Sequence, residues 1–107
     1  MNNEERAIWA GLYVLAGLWT KKDESILLLN EPDYPNDLAA CFRDFVPKLM
    51  KLSAPDLDEI TFIPIWGANG DRWECDIHFT DKTVIYSTGK DWAAALTCAV
   101  DTVIARP

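Results

Sequence analysis

The 107-residue chain holds one histidine, three cysteines and five glycines, and its ten basic side chains face seventeen acidic ones. Each shortage excludes something. A net charge of −7 leaves no surplus of Lys and Arg to neutralise phosphates and release counterions, so direct nucleic-acid binding is not expected. The same charge opposes adhesion to an anionic membrane surface. No apolar run approaches the ~20 residues of a membrane span. The opening Met1-Asn2-Asn3-Glu4-Glu5-Arg6 is acidic where a secretory leader is basic, so the expected compartment is the cytoplasm. With one histidine, any Ser-His or Cys-His arrangement must use His78. Cys41, Cys75 and Cys98 are odd in number and form no Cys-x-x-Cys pair, which speaks against a disulfide framework and a zinc site. Each sits among apolar neighbours and is read as a reduced core residue. A phosphate cradle is missing too, because Gly67-Ala68-Asn69-Gly70 precedes a strand where a cradle needs a helix N-terminus. No metal or cofactor is expected.

What is present describes a folded domain. Half of the residues are hydrophobic and 11% are aromatic, the opposite of a disordered composition. The length suits one compact domain over residues 1–107. Ile8, Leu12, Val14, Leu15 and Trp19 follow a near-helical spacing from Asn3 to about Gly17, with Glu4 and Glu5 in the first turn where carboxylates suit the helix dipole. Lys21-Lys22-Asp23-Glu24 reads as a solvated turn and Ser25–Leu29 as a short buried strand. After the breaker-rich Glu31–Pro35, Asn36 or Asp37 can cap a helix whose stripe is Leu38, Cys41, Phe42, Phe45, Leu49 and Leu52. Pro47 predicts a kink there near Phe45 and Val46.

Three strands follow. Glu59–Trp66 sets Ile60, Phe62 and Trp66 against Thr61, Ile63 and Ile65, and Gly67–Asp71 contains the Asn-Gly hairpin signal. Arg72–Thr80 alternates without error: Trp73, Cys75, Ile77 and Phe79 face one way, and Arg72, Glu74, Asp76, His78 and Thr80 the other. Asp81-Lys82 turns the chain into a third strand, Thr83–Ser87. A last helix starts at the cap Asp91 and carries Trp92, Ala95, Leu96, Ala99, Val100, Val103 and Ile104 on one side. The order α-β-α-β-β-β-α defines an α+β fold, three helices packed on an antiparallel or mixed sheet.

Three stretches carry a resemblance. They are Pro32-Asp33-Tyr34-Pro35-Asn36-Asp37-Leu38-Ala39-Ala40 leading into an aromatic helix, Trp73-Glu74-Cys75 within a hairpin, and Ser87–Ala99 opening an alanine-rich helix. Over residues 30–105 the layout resembles the phage ABA-sandwich domain family, small accessory proteins of bacteriophages and prophages. The final helix lacks the proline and arginine usual in that family. The resemblance implies no reaction and no catalytic residues. It implies a setting, the cytoplasm of an infected bacterium, where short acidic accessory proteins often inhibit host defence in the manner of anti-CRISPR proteins.

Two functional classes follow. In the first, the chain is a non-enzymatic inhibitor that binds a host defence complex stoichiometrically through a basic surface of that complex. Candidate contact residues are Trp66, Asn69, Asp71 and Arg72 around the hairpin, Glu74, Asp76 and His78 on the polar strand face, and the acidic run Asp56, Asp58 and Glu59. Ile63 and Ile65 lie opposite the buried set, so that face is either covered by helices or marks an interface. In the second class, His78, Asp76 and Glu74 form the acid/base or metal cluster of a small enzyme. A further possibility is a homodimer in which an exposed edge strand or helix pairs with itself.

Overall fold

Three short polar side chains start the α-helices among the described residues. Asn2, Asp37 and Asp91 accept hydrogen bonds from the backbone N–H groups of Glu5 (2.8 Å), Ala40 (3.1 Å) and Ala94 (2.9 Å), donors that a helix N-terminus leaves unpaired. In a computed structural model, which describes residues 1–21, 26–28, 30–52, 56–67 and 72–106, these helices are α1 (Asn3–Trp9), α2 (Leu38–Met50) and α3 (Trp92–Ala105). Among the described residues there are also six strands: β1 (Leu12–Leu15), β2 (Leu18–Lys21), β3 (Ile26–Leu28), β4 (Leu57–Ile65), β5 (Arg72–Phe79) and β6 (Val84–Gly89). They form two antiparallel three-stranded sheets, ordered β1-β2-β3 and β4-β5-β6. The fold is α+β, as the alternation of helical and strand patterns indicates.

The first helix is shorter than its apolar spacing suggests. Gly11, at φ 96°, ends it, and Leu12–Lys21 turns back on itself as a hairpin through Ala16 (φ 52°) and Gly17 (φ 81°). Two consecutive residues with positive φ make the turn that matches strand twist, which a helix through Gly17 cannot accommodate. Ile8, Val14 and Leu15 are consequently exposed, while Leu12 enters the core. Lys21, expected in a solvated turn, is buried in β2. Its Nζ donates to the Arg43 carbonyl at 3.0 Å. That carbonyl is the acceptor which Pro47, lacking an N–H, leaves without its usual helical donor. With the lysine supplying a donor, helical structure continues through Pro47 to Met50.

The core is one cluster. Tyr34, Cys41, Phe45 and Leu49 share it with Cys75, Ile77 and Phe79 of β5 and Leu96, Ala99 and Val100 of α3, and Ala7 and Leu12 belong to it as well. Helix α3 lies across β5 and β6, and small residues bring it close: a Cβ on Gly89 would stand 2.5 Å from the Ala95 nitrogen. Arg6 ties α1 to α3 through two hydrogen bonds to Asp101, at 2.8 and 2.7 Å. Phe42, placed on the α2 stripe by its spacing, is exposed, because Cys41 and Phe45 define a narrower buried face. Trp92 is also partly exposed. It stacks flat on Phe62 (4.4 Å between ring centres) and edge-on to Trp73 (5.4 Å), capping the sheet instead of entering the core.

Cys98 corrects the reading of all three cysteines as core residues. The α3 stripe that buries Leu96, Ala99 and Val100 turns Cys98 to solvent. Burial pushes the Cys41 thiol up to about 11 and the Cys75 thiol up to about 12, so neither is a thiolate near neutrality. A colourimetric thiol titration of the native protein at pH 8 is therefore expected to read one rapidly reacting thiol, and three after denaturation. Three fast thiols in the native state would contradict the burial of Cys41 and Cys75.

Candidate interaction face

Alternation along the second sheet decides which side chains share a surface. On its inner side Trp73, Cys75, Ile77 and Phe79 meet Ile60, Phe62, Ile85 and helix α3. On the outer side the register sets Glu59 opposite His78, Thr61 opposite Asp76, Ile63 opposite Glu74 and Ile65 opposite Arg72. Across the other boundary of β5, Val84 faces His78, Tyr86 faces Asp76 and Thr88 faces Glu74. Among the described residues no helix packs over this outer side, and Tyr86 (67% exposed), Val84 (43%) and Ile63 (42%) stand open.

The sequence candidates divide by this geometry. Arg72, Glu74, Asp76 and His78 fall in a row on β5, with Glu59 beside them. Trp66, just beyond β4, is 76% exposed at the Arg72 end. Asp56 and Asp58 are exposed at the opposite end, where the Asp56 carbonyl accepts from the Thr80 N–H at 2.9 Å. The length of β4, about 25 Å at the rise of a strand, separates them from Trp66, so the acidic run and the tryptophan are not neighbours. Asn69 and Asp71 lie outside the described residues. Tyr86 and Val84 were missed as contact candidates, although the alternation of Val84–Gly89 carries the signal: the residues flanking buried Ile85 must face outward.

The centre of the face is a carboxyl pair. Hydrogen bonding to Asp76, then burial, then the Asp76 charge hold the Glu74 carboxyl above its usual range. The Asp76 Oδ1 atom is buried and has no hydrogen-bond partner in the structure. His78 does not join this pair; its Nε2 lies 3.3 Å from Thr61 Oγ1, across the strand boundary. Among the described residues no group of three His, Cys, Asp or Glu side chains is placed to hold a metal ion. The acids before α2 are engaged locally: Asp37 caps that helix, and Asp33 accepts from Asn36 (3.0 Å) and Asn3 (3.3 Å). They border an open cleft of about 380 Å³ between Leu28, Pro32, Ala40 and Arg43. The guanidinium of Arg43 is turned away from a ligand role by its two bonds to Asp44.

Among the described residues no helix is long and apolar enough to cross a membrane. Compared with protein-family models, curated proteins and solved structures, the chain matches none. The likeness to phage accessory domains therefore rests on the residues quoted for it alone.

Proposed function

We propose that the protein is a non-catalytic binding protein that docks a basic protein surface on the outer face of the β4-β5-β6 sheet. One observation carries this reading: an uncovered sheet face in which a Glu74–Asp76 carboxyl pair is bordered by exposed Ile63, Val84 and Tyr86. Exposed apolar side chains flanking a carboxyl pair on an uncovered face mark an interaction surface. The charge favours a basic partner, since Glu59, Glu74 and Asp76 outnumber Arg72 on the face and the whole chain carries −7. A Lys or Arg reaching the Glu74–Asp76 pair would satisfy the orphaned Asp76 oxygen. A general base reading has less support, because the hydrogen bond of His78 goes to a threonine hydroxyl. The named partner class, a host defence complex, and the cytoplasm of an infected bacterium come from the phage resemblance alone.

The test compares immobilised wild-type protein with Ile63→Asp, Glu74→Lys and the remote control Phe42→Ala in capture from bacterial lysate. A protein held at near-equal stoichiometry by wild type and control, and lost at least about tenfold by both face variants, is the expected result. Capture that the face variants leave unchanged, or no capture at all, would overturn the proposal.

A further inference from the structure

The hydrogen bond from the Phe79 N–H to the Thr83 carbonyl, at 2.9 Å, fixes the phase of the β5–β6 ladder. Bonded and non-bonded pairs alternate in an antiparallel ladder, so Ile85 bonds Ile77 and Ser87 bonds Cys75. The N–H and C=O groups of Val84, Tyr86 and Thr88 then point away from β5. Among the described residues no hydrogen bond to them is present, and β6 packs chiefly on β5 and α3. This edge also lacks the devices that blunt the others. Strand β4 has an irregularity at Leu57/Glu59, charges at Asp58 and Glu59, and Pro64 at an outward-pointing position; β1 and β3 are only four and three residues long. Strand β6 is six residues long, with no charge and no proline.

We infer that β6 pairs antiparallel with β6 of a second copy of this chain, joining two three-stranded sheets into one of six strands. A two-fold axis at Tyr86 sets Tyr86 beside its own symmetry mate and Val84 beside Thr88, so every outward N–H and C=O on the edge finds a partner. Self-pairing suits this edge because no like charges meet across it. Docking two copies face to face would instead oppose Glu59, Glu74 and Asp76 to themselves. The edge is continuous with the candidate face, since Val84, Tyr86 and Thr88 belong to both, and pairing fuses the two outer faces into one. The inference stands independently of what that face binds.

Sedimentation velocity from micromolar to millimolar protein, with hydrogen exchange of the Val84, Tyr86 and Thr88 amides at both extremes, tests the pairing. The expected mass rises from 12.1 kDa towards twice that value. The rise is greater at higher salt, where the mutual repulsion of two acidic chains is screened. The three amides are expected to exchange at least about tenfold more slowly in the concentrated sample. Tyr86→Pro, which removes the central donor of the edge, is expected to stay monomeric, whereas Ile63→Asp still dimerises. If Tyr86→Pro fails to fold, wild-type exchange alone decides. A monomer throughout, a dimer in which these amides stay unprotected, or protection caused by a bound foreign strand would each overturn the inference.

Discussion

Gly89→Ala is expected to lower stability by about 3 kcal/mol, at the upper end of what one added methyl costs in a packed interior. The methyl would meet the Ala95 nitrogen at 2.5 Å, the Ala94 carbonyl carbon at 2.8 Å and the Ala94 Cβ at 2.9 Å. Two of these three atoms are helix backbone, so no rotamer change relieves the contact. Relief requires α3 to lift from β6 as a body, and that separates Leu96, Ala99 and Val100 from Ile77 and Ile85. The variant should shift the urea midpoint without changing the slope, provided the denatured state is unaltered. Gly67→Ala is the control, since a Cβ there meets nothing within 4 Å, and it should fall within about 0.5 kcal/mol of wild type. A Gly89→Ala protein as stable as that control would mean that α3 is not seated as tightly as the structure places it.

Gly89 also illustrates what the sequence made legible. The cap Asp91 and the alanine-rich stripe after it located α3, and the unbroken alternation of Arg72–Phe79 located the buried and open faces of β5. Both are local signals, since a cap needs only its own turn and alternation needs only one strand. The β1–β2 hairpin was not legible, because Leu12-Tyr13-Val14-Leu15 is apolar at every position and satisfies helical spacing as well as strand pairing. Its decision lies in Ala16, an ordinary helix former that takes φ 52° beside Gly17. The role of Lys21 was hidden for a different reason. Nothing within its own segment records that a proline 26 positions later leaves the Arg43 carbonyl without a donor. The candidate face was half legible: its β5 row follows from alternation, while Val84 and Tyr86 join it only through cross-strand register.

The buried carboxylate of Asp44 leads to the second large effect, and the sensitive residue is its partner. Asp44 accepts from Arg43 Nε (2.8 Å), Arg43 Nη2 (2.7 Å) and the Tyr34 hydroxyl (2.8 Å). Residues adjacent on a helix point about 100° apart, so the Arg43 side chain must curl round to reach it. The two are unequal in exposure, 30% for the arginine side chain and 1% for the aspartate. Removing either partner therefore has different consequences. In Asp44→Asn the guanidinium can turn to water and Tyr34 keeps an acceptor, so the expected loss is about 1–2 kcal/mol. In Arg43→Met the carboxylate stays in the core with one neutral donor, and the expected loss at neutral pH is about 3 kcal/mol or more. That donor is the Tyr34 hydroxyl, which stays protonated because burial first and the Asp44 charge second raise its phenol well above the ordinary range. The double variant Arg43→Met/Asp44→Asn removes the stranded charge and should be more stable than Arg43→Met alone. That reversal, read from urea unfolding of the four proteins, separates a charge effect from lost packing of the arginine stem. Additive losses would assign the cost to packing, and an Arg43→Met protein within about 0.5 kcal/mol of wild type would mean that Asp44 reaches solvent.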